Sequence, residues 1–426
     1  SVALDIPFEI AVYVGLASIL MCSMLGGMRA VTWTQVAQYI VLIIAYLLPV
    51  FWISNNIGAG FFPHFMLADE VARIAELEGQ FGFVKNSAAD LATVPKGLSA
   101  ITKAHSSVNA TPWAFISLAV CMMAGTASLP HVMMRYFTTP SVRTARRSVG
   151  WSLFFIFLLY SSAPMLATLS KISLMDPNLA TGIIGKSITE VQALDWYQNW
   201  NQAKLMFVSD FNGNGTLELN EFFMKGSAVV LATPEIAGLP YVISGLVAAG
   251  GMAAAMSTAD GLVLAISNAL SHDVYYKIIN PKAETAKRLI VARVLLVLIG
   301  FAGATIAALE IQGILGSVIW AFDFAMSGLF FPLVLGVWWK RANAPGAVAG
   351  MLLGLISGTA YLVWVRSGGS GFLGITQLTF GIVGASVSLV SMIVVSLITA
   401  APDAATQKMV DDVRIPSGKT ILGKQH

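Results

Sequence analysis

The residues best suited to do chemistry lie in one apolar run, Gly250-Gly251-Met252-Ala253-Ala254-Ala255-Met256-Ser257-Thr258-Ala259-Asp260. Ala254, Ser257 and Thr258 are spaced i, i+3, i+4 and so share one face of a helix. Two hydroxyls and a backbone carbonyl are hard oxygen ligands without a full negative charge, a set suited to an alkali cation held weakly and reversibly. The same spacing lets Ser and Thr hydroxyls bond back onto their own helix, and spacing alone does not decide between the two. Asp260 lies about 60° round the helix from Ser257 and could flank a cation path. A second ionisable residue, Asp323, sits within Trp320-Ala321-Phe322-Asp323-Phe324. An acid at membrane depth is costly and points to function by default. Asp323 could relay a proton or a cation, or pair with a neighbouring helix.

A second pattern is Asp210-Phe211-Asn212-Gly213-Asn214-Gly215-Thr216-Leu217-Glu218-Leu219-Asn220-Glu221. It fits a twelve-residue EF-hand loop: Asp210, Asn212 and Asn214 at positions 1, 3 and 5, Gly215 at the turn, Thr216 offering a carbonyl at 7, Glu218 at 9 and Glu221 as the bidentate ligand at 12. Short helices are expected on either side, over 196–209 and 219–230, with a calcium ion stapling the loop. The plain alternative is a solvated Asn/Gly turn. No nucleophile–His–acid constellation, phosphate loop or Cys/His cluster occurs, so an enzyme is not expected. Cys22 and Cys121 both lie in apolar runs and imply no disulfide framework.

The elements that must carry these residues are membrane helices. Of 426 residues, 56% are hydrophobic and 11% charged, against about 25% charged in soluble domains; the mean hydropathy is +0.75. A net charge of +3 gives no sign of a nucleic-acid partner. Nine spans are expected, at 8–28, 32–54, 112–134, 148–169, 237–272, 289–309, 313–338, 344–365 and 373–399, each apolar over the roughly 20 residues needed to cross the hydrocarbon core. Arg143, Arg146 and Arg147, then Lys277, Lys282, Lys287 and Arg288, then Lys340 and Arg341 cluster in short connections on one side. The positive-inside rule makes that side cytoplasmic. The C-terminus and a polar, flexible tail (401–426) fall there too, in a multi-pass protein of the plasma (inner) membrane. Two long polar stretches then fall outside: 55–111, with an amphipathic helix near 67–78, and 170–236, which holds the calcium-type loop. Glycines inside spans, such as Gly245, Gly250, Gly251 and Gly261, fit close helix packing.

Three segments carry a family resemblance. Gly26-Gly27-Met28-Arg29-Ala30-Val31-Thr32-Trp33-Thr34-Gln35 and Pro130-His131-Val132-Met133-Met134-Arg135-Tyr136 resemble motifs of the sodium:solute symporter family. So does the run from Ala254 to Asp260, continued through Leu264, Ser267 and Asp273-Val274-Tyr275. The motifs stand in the family's order, and the resemblance covers residues 8–400. It implies an all-α, leucine-transporter-like inverted-repeat bundle, with substrate and cation beside broken helices near the bilayer midplane. It gives the sodium a carbonyl from Ala254 and hydroxyls from Ser257 and Thr258. It makes 112–134 the broken helix of the second repeat, with Gly125, Thr126 and Ser128 near the substrate.

The resemblance also implies about four further spans ahead of the first one here, so the chain reads as N-terminally truncated, a partial symporter domain over 1–400 with half of each site. On that reading it could not transport alone. The implied function is sodium-coupled uptake of a small organic solute by alternating access. The motif order points to short monocarboxylates such as acetate, with an amino acid as the close alternative. A symporter-like sensory domain is the reading from another class, against which the short tail counts. Oligomeric state is open.

Overall fold

A computed structural model describes residues 8–60, 63–82, 86–101, 112–309, 311 and 313–414. Expectations for 1–7, 102–111 and 415–426 lie outside the described residues. Long uninterrupted apolar sequence has one solution in lipid, since every backbone polar group must be satisfied internally. Among the described residues, seven helices are long and apolar enough to cross a membrane: Ala30–Asn56, Val142–Met175, Tyr241–Ile279, Thr285–Ala308, Ile314–Trp338, Ala344–Arg366 and Gly381–Ile398. An eighth span is a broken pair, Pro112–Ala127 and Pro130–Tyr136, bent by 47°. The expected first span lies in the helical run that starts at Phe8 and is represented among the described residues by the shorter apolar helix Ile10–Met24, so seven or eight of the nine expected spans pass on length and composition among those residues. The break in the pair falls where expected, because Pro130 has no N–H to continue the ladder.

The chain divides into two compact units, Ser1–Ser106 with Ser148–Ile311, and Ser107–Arg147 with Gln312–His426. In the first unit, one helical run, Phe8–Asn56, contains a non-helical residue at Gly27, with φ 56° and ψ −166°. That left-handed conformation is one a side chain disfavours. Both arms of the run reach the helix Tyr241–Asn268. After the break, Gln35 meets Ser257 and Ala45 meets Gly250; before it, Ser23 meets Asp260.

The two long polar stretches of this unit form one small packed layer. The amphipathic helix is present as Leu67–Phe81, with Ile74 and Leu77 buried. A three-stranded antiparallel sheet pairs Ser99–Ala100 and Met206–Val208 on either side of Phe222–Met224, with Phe207 opposite Phe223 and Ser99 opposite Met224. Met175, Ile183, Val191, Met206, Leu217 and Phe222 form its core. Lys171 bonds Glu78 at 2.6 Å, and Arg73 pairs with Asp176. Burial acts to raise the Asp176 carboxyl, but bonds from Asn178 and the Arg73 guanidinium together hold it below the usual carboxylate value.

The expected EF-hand flanks are corrected here. The loop is entered by the strand Met206–Val208 and left by the strand Phe222–Met224; the nearest preceding helix is Asp195–Gln202. Met-Phe-Val and Phe-Phe-Met are short, bulky and apolar, and they gain more from pairing over the buried core than from isolated helical turns.

In the second unit, Gly346, Gly350, Gly354 and Gly358 recur every four residues along Ala344–Arg366. They let it press against its neighbours: a Cβ on Gly354 would stand 2.1 Å from the Ser327 carbonyl oxygen and 2.8 Å from the Ser388 Cβ. Small residues serve this role between membrane helices. The expected flexible tail is corrected over its first part, which forms the helix Ala404–Arg414. Lys340 holds it through Asp411 at 2.7 Å.

Candidate functional site

Ala254, Ser257, Thr258 and Asp260 fall mid-way along the helix Tyr241–Asn268, which has no proline inside it and stays regular. The Ser257 hydroxyl donates to the Ala254 carbonyl at 3.0 Å and the Thr258 hydroxyl donates to the same oxygen at 3.3 Å. The three oxygens therefore converge, and both hydroxyls bond back onto the helix. A hydroxyl has one donor and two acceptor lone pairs. With their protons committed to Ala254, Ser257 and Thr258 keep their lone pairs for a cation, while the Ala254 carbonyl is already engaged. Ala254 and Ser257 are half-buried and Thr258 is exposed.

Two residues of the run Phe8–Asn56 fix this stretch. The Gln35 amide donates to the Ser257 carbonyl at 2.6 Å. The Ser23 hydroxyl donates to Asp260 Oδ1 at 3.0 Å. Asp260 is wholly buried, and among the described residues its Oδ2 has no hydrogen-bond partner. Neither Ser23 nor Gln35 follows from the sequence as a functional residue. Gln35 stands in a quoted motif, but nothing local ties it to Ser257, 222 positions away.

The other expected residues lie in the second unit. Gly125 abuts Phe322: a Cβ there would sit 2.5 Å from the Phe322 carbonyl oxygen. Ser128 is buried and donates to Ala124 at 2.6 Å; Thr126 is exposed and donates to Met122 at 2.6 Å. Asp323 is wholly buried and faces the Phe380 and Gly381 amides and the Cys121 thiol, without a well-formed hydrogen bond to either carboxylate oxygen. A Cβ on Gly381 would lie 2.9 Å from Asp323 Oδ1. The acid thus stands at the start of the helix Gly381–Ile398, where free amides and the helix dipole favour negative charge.

In the 210–221 loop, Asp210 accepts the amides of Gly213 at 2.8 Å and Gly215 at 2.9 Å. Asn212 accepts the amide of Asn214, and Asn214 that of Thr216. Glu221 is wholly buried and accepts Phe211 N at 2.8 Å and Glu218 N at 3.0 Å. Glu218 accepts the side-chain amides of Asn212 and Asn214. Among the described residues, no group of three or more His, Cys, Asp or Glu side chains is placed to hold a metal.

The sequence profile of the sodium:solute symporter family matches residues 1–187 and 225–354, well over half of the chain. The chain belongs to the sodium:solute symporter family. An uncharacterized symporter of Cupriavidus necator is 33% identical, over 96% of this chain and 72% of its own length. A monocarboxylic acid transporter of Corynebacterium glutamicum is 26% identical, over 82% of this chain; the match spans 54% of that transporter. A solved structure of a Na+-coupled sialic acid symporter, in a substrate-bound outward-open state, aligns with a TM-score of 0.57 at 17% identity, over 93% of this chain and 68% of that one. The likeness fixes the fold as that symporter's helical bundle. Family members are transporters, so this multi-pass membrane chain is not an enzyme, and sodium coupling goes with the family. The profile leaves 188–224 unmatched, the stretch that contains the 210–221 loop.

Proposed function

We propose that the chain takes part in sodium-coupled uptake of a short monocarboxylate such as acetate, with Ser257, Thr258 and Ala254 at the sodium position. The observation that carries the reading is the convergence of these three oxygens at one turn of a helix pinned by Gln35. Family membership supports sodium as the coupling ion, and the likeness to a monocarboxylic acid transporter supports the solute class. Of Gly125, Thr126 and Ser128, Thr126 is the one with an exposed side chain, close to the break at Pro130. The C-terminus is assigned to the cytoplasm by the basic clusters. The test is sodium binding by isotope titration of the purified protein: Ser257→Ala with Thr258→Ala weakens it at least tenfold, about 1.4 kcal/mol. Unchanged affinity would remove the assignment.

A second, separate reading concerns the loop 210–221, to which we assign a calcium ion held by Asp210, Asn212, Asn214, Thr216, Glu218 and Glu221. Its support is the side-chain-to-amide pattern around Asp210 and the buried Glu221 that closes the loop. Ion binding would draw these oxygens from loop amides onto the metal. Calorimetric titration with calcium tests it, and no heat beyond dilution would end it.

A further inference from the structure

Asp323 lies inside the span Ile314–Trp338, wholly buried, and among the described residues neither carboxylate oxygen has a formed hydrogen bond. Three elements of the second unit close around it. The first half of the broken pair presses on its helix: Cys121, also 0% exposed, faces the carboxyl. One turn further on, a Cβ at Gly125 would stand 2.5 Å from the Phe322 carbonyl oxygen. The third wall is the start of the helix Gly381–Ile398, with the Phe380 and Gly381 amides facing the acid.

No cation shares this site. Of the elements packed on the helix Ile314–Ala325, Pro112–Ala127 carries Cys121, and Ala344–Arg366 carries Tyr361 and Arg366. Met326–Phe330, Gly381–Ile398 and the stretch 372–380 carry no ionisable side chain, and Asp323 is the only one on its own helix. Arg366 is exposed and stacks over Trp320 at 5.0 Å. The Tyr361 hydroxyl donates to the Ile375 carbonyl at 2.9 Å and accepts the Phe372 amide at 2.8 Å. His131, Arg135 and Tyr136 stand in the other half of the broken pair, ten or more residues along from Cys121. None of these groups is bonded to either carboxylate oxygen.

A buried carboxylate pays a large desolvation cost unless it is paired and hydrogen-bonded. The helix start offsets a small part of it, because amides outside bonding geometry act only through the dipole. A hard metal ion gathers about six oxygens. Here the carboxylate is faced by N–H and S–H donors at the positive end of a helix, a setting that repels a cation. A proton fits instead. In the neutral acid the C=O oxygen still accepts from the amides, and the O–H can turn to the Cys121 sulfur, a weak acceptor.

We propose that Asp323 is a proton-binding site walled by the broken pair, a second coupled position in the transporter apart from the candidate sodium oxygens. Movement of the broken pair would open it. Its place in coupling rests on the proposed symport, but the protonated carboxyl can be read without transport.

The experiment is infrared spectroscopy of the purified chain in lipid nanodiscs in mildly acidic buffer. A protonated buried carboxyl gives its own C=O stretch. The proposal expects a component that Asp323→Asn removes and that is the same in sodium and choline buffers. Cys121→Ser, which sets a stronger hydrogen-bonding group beside the acid, moves that component to lower frequency. Spectra of Asp323→Asn and the parent that superimpose would overturn the proposal. So would a component that vanishes when sodium replaces choline, which would mark a sodium carboxylate instead. Should Asp323→Asn fail to fold, the Cys121→Ser shift decides alone: its absence refutes the assignment. Sodium affinity of the Ser257→Ala, Thr258→Ala variant is a separate readout, so failure of the sodium site and of the proton site are distinguishable.

Discussion

The side-chain amide of Gln35 donates to the backbone carbonyl of Ser257 at 2.6 Å, from a side chain that is itself buried. A long polar side chain buried in an apolar bundle must find a partner. By choosing a carbonyl of the candidate cation turn, it fixes how that turn is rotated. Ser23 does the same at Asp260, from the other side of the break at Gly27.

Gln35→Leu keeps the bulk and removes the donor. The expected loss is about 1 kcal/mol of stability, read as a lower melting temperature in detergent, with weaker sodium binding on isotope titration. Melting and sodium affinity both equal to the parent's would show that the bond positions nothing.

Gly125→Ala places a methyl 2.5 Å from the Phe322 carbonyl oxygen, where backbone must move. Overpacking of this kind costs about 1–3 kcal/mol, so thermal unfolding should shift down. A control at Gly303, where a Cβ meets nothing within 4 Å, should shift little.

The Arg73–Asp176 pair should make the polar layer acid-sensitive. The Asp176 carboxyl is held low in the folded protein, so its stabilisation is present above the ordinary value near about 3.9. It fades as pH falls below that and through the folded value. Hydrogen exchange of 67–81 and 170–236 should accelerate below about pH 4. Arg73→Ala should cost about 2 kcal/mol at neutral pH and flatten the acid response.

Glu221→Gln should abolish calcium-dependent stabilisation of the 210–221 loop. The measurement is the thermal shift on adding calcium, with magnesium as control. An equal shift in variant and parent would refute the role of Glu221.

Much of this molecule was legible from sequence because lipid leaves few options. Apolar runs of sufficient length became helices, Pro130 broke one of them, and the 3.6-residue period put Ala254, Ser257 and Thr258 on one face. Those outcomes depend on neighbours within a few residues. The strands beside the 210–221 loop were missed because their preference is set by a core that joins 67–81 to 170–236. The apposition of Ser23 with Asp260 and of Gln35 with Ser257 was also beyond sequence, since each spans more than 200 residues. So was the contrast between the two acids. Asp260 and Asp323 look alike as letters in apolar runs. Only packing decided that one meets a helix start and the other a single hydroxyl, because the cost of a buried charge depends on which dipoles the fold brings to it.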